Sequence, residues 1–201
     1  MKRLFLVTAL SALVSSMAVA NITVQLNPSV TPTGPNFTWS YDVTLGGGET
    51  ATATVPGGSC TGTQATFCGG TFFTIYDFNG YVANSAFEPS NWNVSISLVG
   101  ATPTGQTPDV PDNTGVTNLS FFYTGDNITG PSDLGLFGAV STFGTGTMGA
   151  YTEQSNSDPP GTREHGGGFT TVPAGVPEPA SLALIGAGLI GLAIGRKRLG
   201  R

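Results

Sequence analysis

Positive charge is nearly missing from the long middle segment of this sequence. The 156 residues from Asn21 to Val176 contain no lysine and a single arginine, Arg163. The same segment carries 11 carboxylate side chains, which give it a net charge of 1 − 11 = −10. Proteins that bind nucleic acids contact the phosphates through clustered Lys and Arg side chains. The composition therefore excludes a nucleic acid, or any acidic polymer held by charge, as a partner of this segment.

Side chains that often carry catalysis are also scarce. The only histidine, His165, lies in a polar, glycine-rich stretch that we predict to be a solvated loop, and the chain has no G-x-S-x-G motif. A Ser–His–Asp or Cys–His site would have to use this histidine. Hydrolysis by two carboxylates would need two acidic residues in one cleft, and no pattern selects a pair. The candidates for such a pair are Asp42, Glu49, Asp77, Glu88, Asp109, Asp112, Asp126 and Asp133. We predict no catalytic residues, no metal site and no cofactor, and a protein that is not an enzyme.

The N-terminal 20 residues have the three parts of a secretory signal peptide. Lys2 and Arg3 supply the positive charge, and an apolar stretch too short to span a bilayer follows at 4–14. Ala18 and Ala20 form a small-x-small cleavage site. We therefore predict that signal peptidase removes residues 1–20 during export and that the mature chain begins at Asn21.

The C-terminal end combines three further features in a fixed order. The motif Val176-Pro177-Glu178-Pro179 comes first, and its two prolines favour an extended, exposed backbone. The uncharged segment Ala180–Gly195 follows, with 16 residues that would form a helix about 24 Å long. The basic cluster Arg196-Lys197-Arg198 comes next. We predict one transmembrane helix whose basic end stays in the cytoplasm, which leaves residues 21–176 on the outside.

This order of motif, apolar segment and basic tail resembles the PEP-CTERM sorting signal of exported proteins in Gram-negative bacteria. The resemblance covers 176–201 and implies that an exosortase-like membrane enzyme recognises Pro177-Glu178-Pro179 and removes the tail. It also implies a transient anchor in the inner membrane, followed by release or transfer to the cell surface or the extracellular matrix. The implied partners are signal peptidase, the export machinery and the exosortase, with exopolysaccharide as a candidate partner. The resemblance implies nothing about the fold of the remaining body.

The body has the two-residue periodicity of half-buried antiparallel strands. Large apolar residues alternate with small polar ones over Phe37–Leu45 and Trp92–Leu98, and more briefly over 22–26. Further candidate strands are Thr50–Val55, Thr71–Asp77, Tyr81–Ala83, Val116–Tyr123, Leu134–Phe143 and Phe169–Val172. We predict an all-β protein, with an antiparallel β-sandwich or jelly-roll-like single domain over residues 21–173. The signal peptide at 1–20 precedes this domain and the sorting segment at 174–201 follows it.

The connections carry three more predictions. Gly46–Gly48 is predicted to close a hairpin between the Phe37–Leu45 strand and the Thr50–Val55 strand. Thr102–Gly115 and Ser155–Gly168 are predicted to be long mobile loops.

The only two cysteines, Cys60 and Cys68, are predicted to form a disulfide. Export places them in an oxidising compartment, and their spacing suits a bridge that closes a small loop. Metal binding by these thiols is disfavoured because no further ligand lies nearby in the sequence.

These observations favour a structural or interaction protein of the cell surface or matrix, with a glycan- or calcium-binding module as the alternative. The oxygen-rich turns at 109–113 and 126–127 contain the ligands that calcium prefers. The aromatic residues at 76–81 and Trp92 could stack on sugar rings, although core packing explains them more simply.

Overall fold

The computed structural model describes residues 22–26, 30–62, 67–158 and 161–175. Within these ranges every regular element is a β-strand and all strand pairs are antiparallel, which confirms the all-β prediction. The strands are β1 (Ile22–Leu26), β2 (Thr31–Thr33), β3 (Asn36–Leu45), β4 (Glu49–Ala51), β5 (Cys60–Thr61), β6 (Phe72–Ile75), β7 (Trp92–Ser97), β8 (Thr102–Pro103), β9 (Asn118–Tyr123), β10 (Ile128–Thr129), β11 (Ser132–Ser141), β12 (Gly146–Ser157) and β13 (Arg163–Pro173).

The first sheet is built around β3, which has the clearest alternation in the sequence. Its order is β1-β3-β11, and β2 pairs with the beginning of β3. Trp39, Tyr41 and Val43 are fully buried on one face of β3, while Asp42 and Thr44 on the other face are exposed. This face of β3 therefore forms one wall of the core.

The second sheet is larger and has β12 at its centre. Its order is β10-β4-β12-β6-β9-β7, and β13 pairs with β12 along the full length of β13. A separate two-stranded sheet joins β5 to β8. The first two sheets face each other, so that the described part of the chain forms a β-sandwich-like fold.

The contact between the two sheets is centred on Phe137 of β11. Its ring centroid lies 5.0 Å from that of Phe73, 5.0 Å from that of Trp92 and 5.2 Å from that of Phe121, all on the second sheet. The three contacts are edge-to-face, the arrangement that aromatic quadrupoles favour. This aromatic cluster joins the two sheets.

The outer face of the second sheet is also buried, because a long connection and the β5–β8 sheet cover it. Thr74 Oγ1 donates to Ala101 O at 2.6 Å and lies 2.8 Å from Ser120 Oγ. Tyr76 Oη lies 2.8 Å from Thr152 Oγ1 on the same face. Small hydroxyl side chains can be buried here because each finds a hydrogen-bond partner.

The predicted hairpin at Gly46–Gly48 is wrong. β4 pairs with β10 and β12 of the second sheet, so this turn carries the chain from one sheet to the other. Both neighbours of β3 are other strands, β1 and β11, and no edge is left for β4. Gly48 has φ = +90°, a conformation that favours glycine.

The predicted loop at Ser155–Gly168 is also wrong. Most of it belongs to the β12–β13 hairpin, in which residues 163–173 pair with residues 146–156. The other predicted loop, Thr102–Gly115, is irregular apart from the two residues of β8. The Tyr81–Ala83 strand is reduced to one bridge, between Tyr81 and Ser141.

Candidate functional site

The aromatic residues that could have formed a sugar-binding surface lie in the core. Tyr76 and Phe78 are fully buried, and Trp92 is 4 % exposed between the sheets. Their rings contact other side chains of the core, as Trp92 does with Phe73 at 5.7 Å. The packing interpretation is confirmed for these three residues, while Tyr81 is half-buried with its ring 6.4 Å from that of Phe78.

The oxygen-rich turns are engaged in hydrogen bonds within the fold. Asp112 Oδ1 accepts a hydrogen bond from Asn118 Nδ2 at 2.9 Å, and Asp77 Oδ1 accepts one from the Asn113 backbone N–H at 3.1 Å. In the other turn, the Asp126 carbonyl accepts a hydrogen bond from the Tyr123 hydroxyl. Among the described residues, no three His, Cys, Asp or Glu side chains are grouped closely enough to hold a metal ion.

His165 is exposed as expected, but it belongs to β13 and not to a loop. Across the β12–β13 pair it lies opposite Gln154. Gln154 itself is fully buried, and its side chain contacts the disulfide region.

The predicted disulfide between Cys60 and Cys68 is confirmed, with the two Cα atoms 5.3 Å apart. Its loop is fastened to β12 by Gln154, whose Nε2 donates to Cys68 O at 3.0 Å and Gly70 O at 2.8 Å. The Gln154 Oε1 accepts a hydrogen bond from the Ser59 backbone N–H at 3.3 Å. The disulfide loop therefore covers the outer face of the second sheet and is held there by one buried side chain.

Two buried carboxyl groups form the most unusual cluster of the described residues. Glu49 on β4 is 0 % exposed and Glu153 on β12 is 1 % exposed. Ser155 Oγ donates to Glu49 Oε2 at 2.5 Å, whereas Glu49 Oε1 and both Glu153 oxygens have no hydrogen-bond partner. The Ile22 backbone N–H of β1 lies close enough to Glu153 to affect its ionisation.

Burial is the main cause of the altered ionisation of this pair. It raises the pKa of Glu153 well above the ordinary value, and the charges of Glu49 and Glu164 raise it further. The nearby Ile22 N–H lowers the same pKa, but by less than burial raises it. Burial also raises the pKa of Glu49, against the lowering effect of the Ser155 hydrogen bond. Burial therefore favours the neutral, protonated form of both carboxyl groups over the ionised form.

The sequence named Glu49 among many acidic candidates and did not single out Glu153. Glu153 lies in β12, a strand that the alternation pattern did not reveal. The shortage of cations applies equally to all 11 carboxylates of the body and therefore does not single out Glu153.

The described chain ends beside the predicted sorting segment. β13 ends at Pro173, and the Ala174 N–H donates to Thr145 O at 2.8 Å. The motif Val176–Pro179, the segment Ala180–Gly195 and the cluster Arg196–Arg198 lie outside the described residues, as do residues 1–21 with the predicted cleavage site. Among the described residues, no helix is long and apolar enough to cross a membrane.

A comparison with protein families identifies the C-terminal segment. The family model for the PEP-CTERM protein-sorting motif matches residues 175–198, which contain all three predicted features. The chain thus carries a PEP-CTERM sorting motif, as the resemblance predicted. This motif implies export, membrane anchoring through the C-terminal tail before cleavage, and processing by exosortase, a membrane enzyme. No curated protein matches the chain.

Proposed function

We propose that the β-sandwich is a non-enzymatic structural or interaction protein of the cell surface or extracellular matrix. The observation that carries the proposal is the sorting motif at 175–198, which follows the end of β13 after a single intervening residue, Ala174. Residues 1–20 direct export, the tail holds the chain in the inner membrane, and cleavage within 176–179 releases the folded body.

The composition of the body suits an extracellular particle. Its net charge of −10 makes copies of the body repel each other and keeps them soluble. The disulfide between Cys60 and Cys68 is of the kind that persists outside the cytoplasm. The large aromatic side chains Tyr76, Phe78 and Trp92 are used for packing, which leaves exopolysaccharide contacts to the strand surfaces and connections.

The sorting part is tested by mass spectrometry of the protein recovered from the membrane and the cell surface. We expect the surface form to begin at Asn21 and to end within 176–179. Glu178→Ala should retain the tail and remain in the membrane fraction, whereas Pro111→Ala, a change at an exposed proline of the body, should be processed normally. Recovery of a surface form with an intact Arg201, or normal processing of Glu178→Ala, would contradict this part.

The molecular role is tested by incubating the purified body with calcium and with matrix polysaccharide. We expect no new reducing ends from the polysaccharide and no heat of binding with calcium in isothermal titration. Release of oligosaccharides would identify an enzyme and overturn the proposal. Saturable heat with calcium would instead favour the calcium-binding alternative, and binding of intact polysaccharide would identify the interaction partner.

A further inference from the structure

The chain leaves the sandwich at one end, which we call the exit end. It comprises the start of β12, the end of β13 and the turn that joins β11 to β12. β13 finishes there at Pro173, and Ala174 is still fixed to the body because its N–H donates to Thr145 O at 2.8 Å. The described chain ends one residue later, at Gly175. The segment that follows Gly175 therefore starts from the exit end.

Much of the negative charge lies away from the exit end. Residues 134–152 and 166–175, which include most of β11, the start of β12 and the end of β13, contain no charged side chain. The opposite end of the sandwich is formed by the end of β3, the end of β12 and the start of β13. Four acidic residues lie at or near that opposite end: Asp126, Asp133, Asp158 and Glu164.

Three further acidic residues, Asp77, Asp109 and Asp112, follow β6 or precede β9. In the second sheet these two strands are on the other side of β12 from β13. Asp77 and Asp112 also accept hydrogen bonds within the fold, from Asn113 and Asn118. The part of the exit end that β12 and β13 form is thus uncharged.

This uncharged part carries an apolar surface. Of the described large apolar side chains, Met148 and Phe169 are the two most exposed, at 66 % and 55 %. Phe169 lies opposite Ala150 across the β12–β13 pair, so that Met148 and Phe169 share one face, and both border the same shallow depression. The half-buried Phe37 and Phe143 border a second depression at the turn between β11 and β12. Apolar side chains grouped at a surface in this way mark a contact site.

The sequence limits how far this surface can be from the membrane. Four residues, 176–179, separate Gly175 from the uncharged segment Ala180–Gly195 of the tail, and the sorting motif implies that the tail anchors the chain. The five Cα–Cα steps from 175 to 180 span at most about 18 Å. Met148 lies opposite Thr171, which is three residues, or about 10 Å, before Ala174 along β13. The apolar surface is therefore held beside the bilayer as long as the tail is attached.

We propose that Met148 and Phe169 contact the boundary between headgroups and acyl chains of the bilayer while the body is tethered, and that the contact ends when the tail is cleaved. The inference rests on the proposed function, because it requires anchoring by the tail. The contact turns the acidic end of the body away from the bilayer. It also turns Gly175, and with it the start of the cleavage motif, toward the membrane enzyme.

The tether explains how two side chains suffice. A short tether gives a local concentration on the order of millimolar, so that a contact too weak to hold the free body is populated in the tethered body. A zwitterionic lipid surface fits best, because anionic lipid would repel a body with a net charge of −10. The same charge disfavours a second copy of the body as the occupant of this surface.

The proposal is tested by fluorescence of the tail-bearing chain, purified from the membrane fraction and reconstituted into phosphatidylcholine vesicles. Phe169→Trp places an indole on the apolar surface, and the buried Trp39 and Trp92 give a background that is measured in the unaltered chain. Leu136→Trp is the matched control, since Leu136 is 46 % exposed but lies on the first sheet, opposite Asp42. We expect lipid with brominated acyl chains to reduce the emission of Phe169→Trp roughly twofold or more, and to leave Leu136→Trp nearly unchanged.

Removal of the tail by a protease tests the role of the tether. The body should then leave the vesicles, and the emission of Phe169→Trp should recover. A body that stays bound to the vesicles would overturn the claim that the contact depends on the tether.

Flotation of the vesicles separates failure of this inference from failure of the proposed function. A chain that does not float with the vesicles lacks the anchor, and both proposals then fail. A chain that floats but shows equal quenching of the two indoles overturns the inference alone. Cross-linking that finds a dimer with the Phe169→Trp indole shielded from lipid also overturns it, because a second copy then covers the surface. If Phe169→Trp does not fold, Met148→Trp provides the same test.

Discussion

Phe137 offers the sharpest test of the sandwich, because it belongs to one sheet and contacts three rings of the other. The side chain is fully buried, and its centroid lies 5.0–5.2 Å from those of Phe73, Trp92 and Phe121. Replacing Phe137 by Ala removes the ring and leaves a cavity between the sheets. The neighbouring Leu136 provides a matched control, since it is on the same strand, points the other way and is 46 % exposed.

The expected cost of Phe137→Ala is about 3–5 kcal/mol in the free energy of unfolding. This is a large fraction of the total stability, which for domains of this kind is about 5–15 kcal/mol. For a body of this length it corresponds to a decrease in melting temperature of roughly 6–20 °C. Leu136→Ala should cost less than about 1 kcal/mol, because the leucine already contacts solvent.

The assay is urea denaturation followed by tryptophan fluorescence and, independently, by circular dichroism. Phe137→Leu should fall between the wild type and Phe137→Ala because it retains part of the buried volume. If Phe137→Ala and Leu136→Ala differ by less than 1 kcal/mol, the ring is not at the interface of the two sheets and the packing described above is wrong.

Three more outcomes follow from the same structure. Reduction of the disulfide, which closes a loop of about nine residues, should lower the unfolding free energy by about 2–3 kcal/mol, measured by denaturation with and without reductant. Gly138→Ala should lower the unfolding free energy by about 1–3 kcal/mol or more in the same assay, because the new Cβ would lie 1.9 Å from a backbone oxygen of β3. Gly161→Ala is the control and should leave the unfolding free energy nearly unchanged, because open space surrounds Gly161. Ser155→Ala should lower the free energy of unfolding by about 1.5–3 kcal/mol at pH 7 and by less at pH 4. The reason is that the Ser155 hydrogen bond lowers the pKa of Glu49 and so favours the ionised carboxylate. Equal losses at both pH values would contradict this reasoning.

The alternation of large apolar and small polar residues predicted strands that have one buried face and one face toward solvent. In β3 the nine residues from Phe37 to Leu45 alternate in the sequence and also in the structure, where Trp39, Tyr41 and Val43 point into the core. The same pattern located β7, whereas β9 and β11 overlap further candidate strands that do not alternate regularly. In β3 and β7 large apolar side chains alternate with short polar ones, which is the signal that a two-residue period detects, but all six residues of β9 are buried.

The central strand was missed for a physical reason. In β12 the eight residues from Gly149 to Asn156 are all buried, and most of them are small or polar. Burial here comes from the facing sheet on one side and the disulfide loop on the other, and neither is visible in the local sequence. Its partner β13 contains Gly166–Gly168, three glycines that predict a loop from the sequence alone. In the structure these glycines belong to a strand because they pair with β12. Tertiary contacts override local strand propensity at such positions.

The same limit applies to the candidate site. The disulfide could be predicted because it needs two cysteines and an oxidising compartment. The pair Glu49 and Glu153 could not, because its members are 104 residues apart and become neighbours only through the pairing of β4 with β12. The sorting motif was predictable because its three parts are contiguous in the sequence and do not depend on the fold.

The two faces of β12 accommodate buried polar side chains in different ways. On the outer face, Gln154 donates hydrogen bonds to Cys68 O and Gly70 O and so holds the loop that the disulfide closes. On the inner face, Glu153 is 1 % exposed, and burial raises its pKa well above the ordinary value. A buried strand so rich in polar residues is therefore compatible with the fold because its polar groups either find hydrogen-bond partners or favour their neutral form.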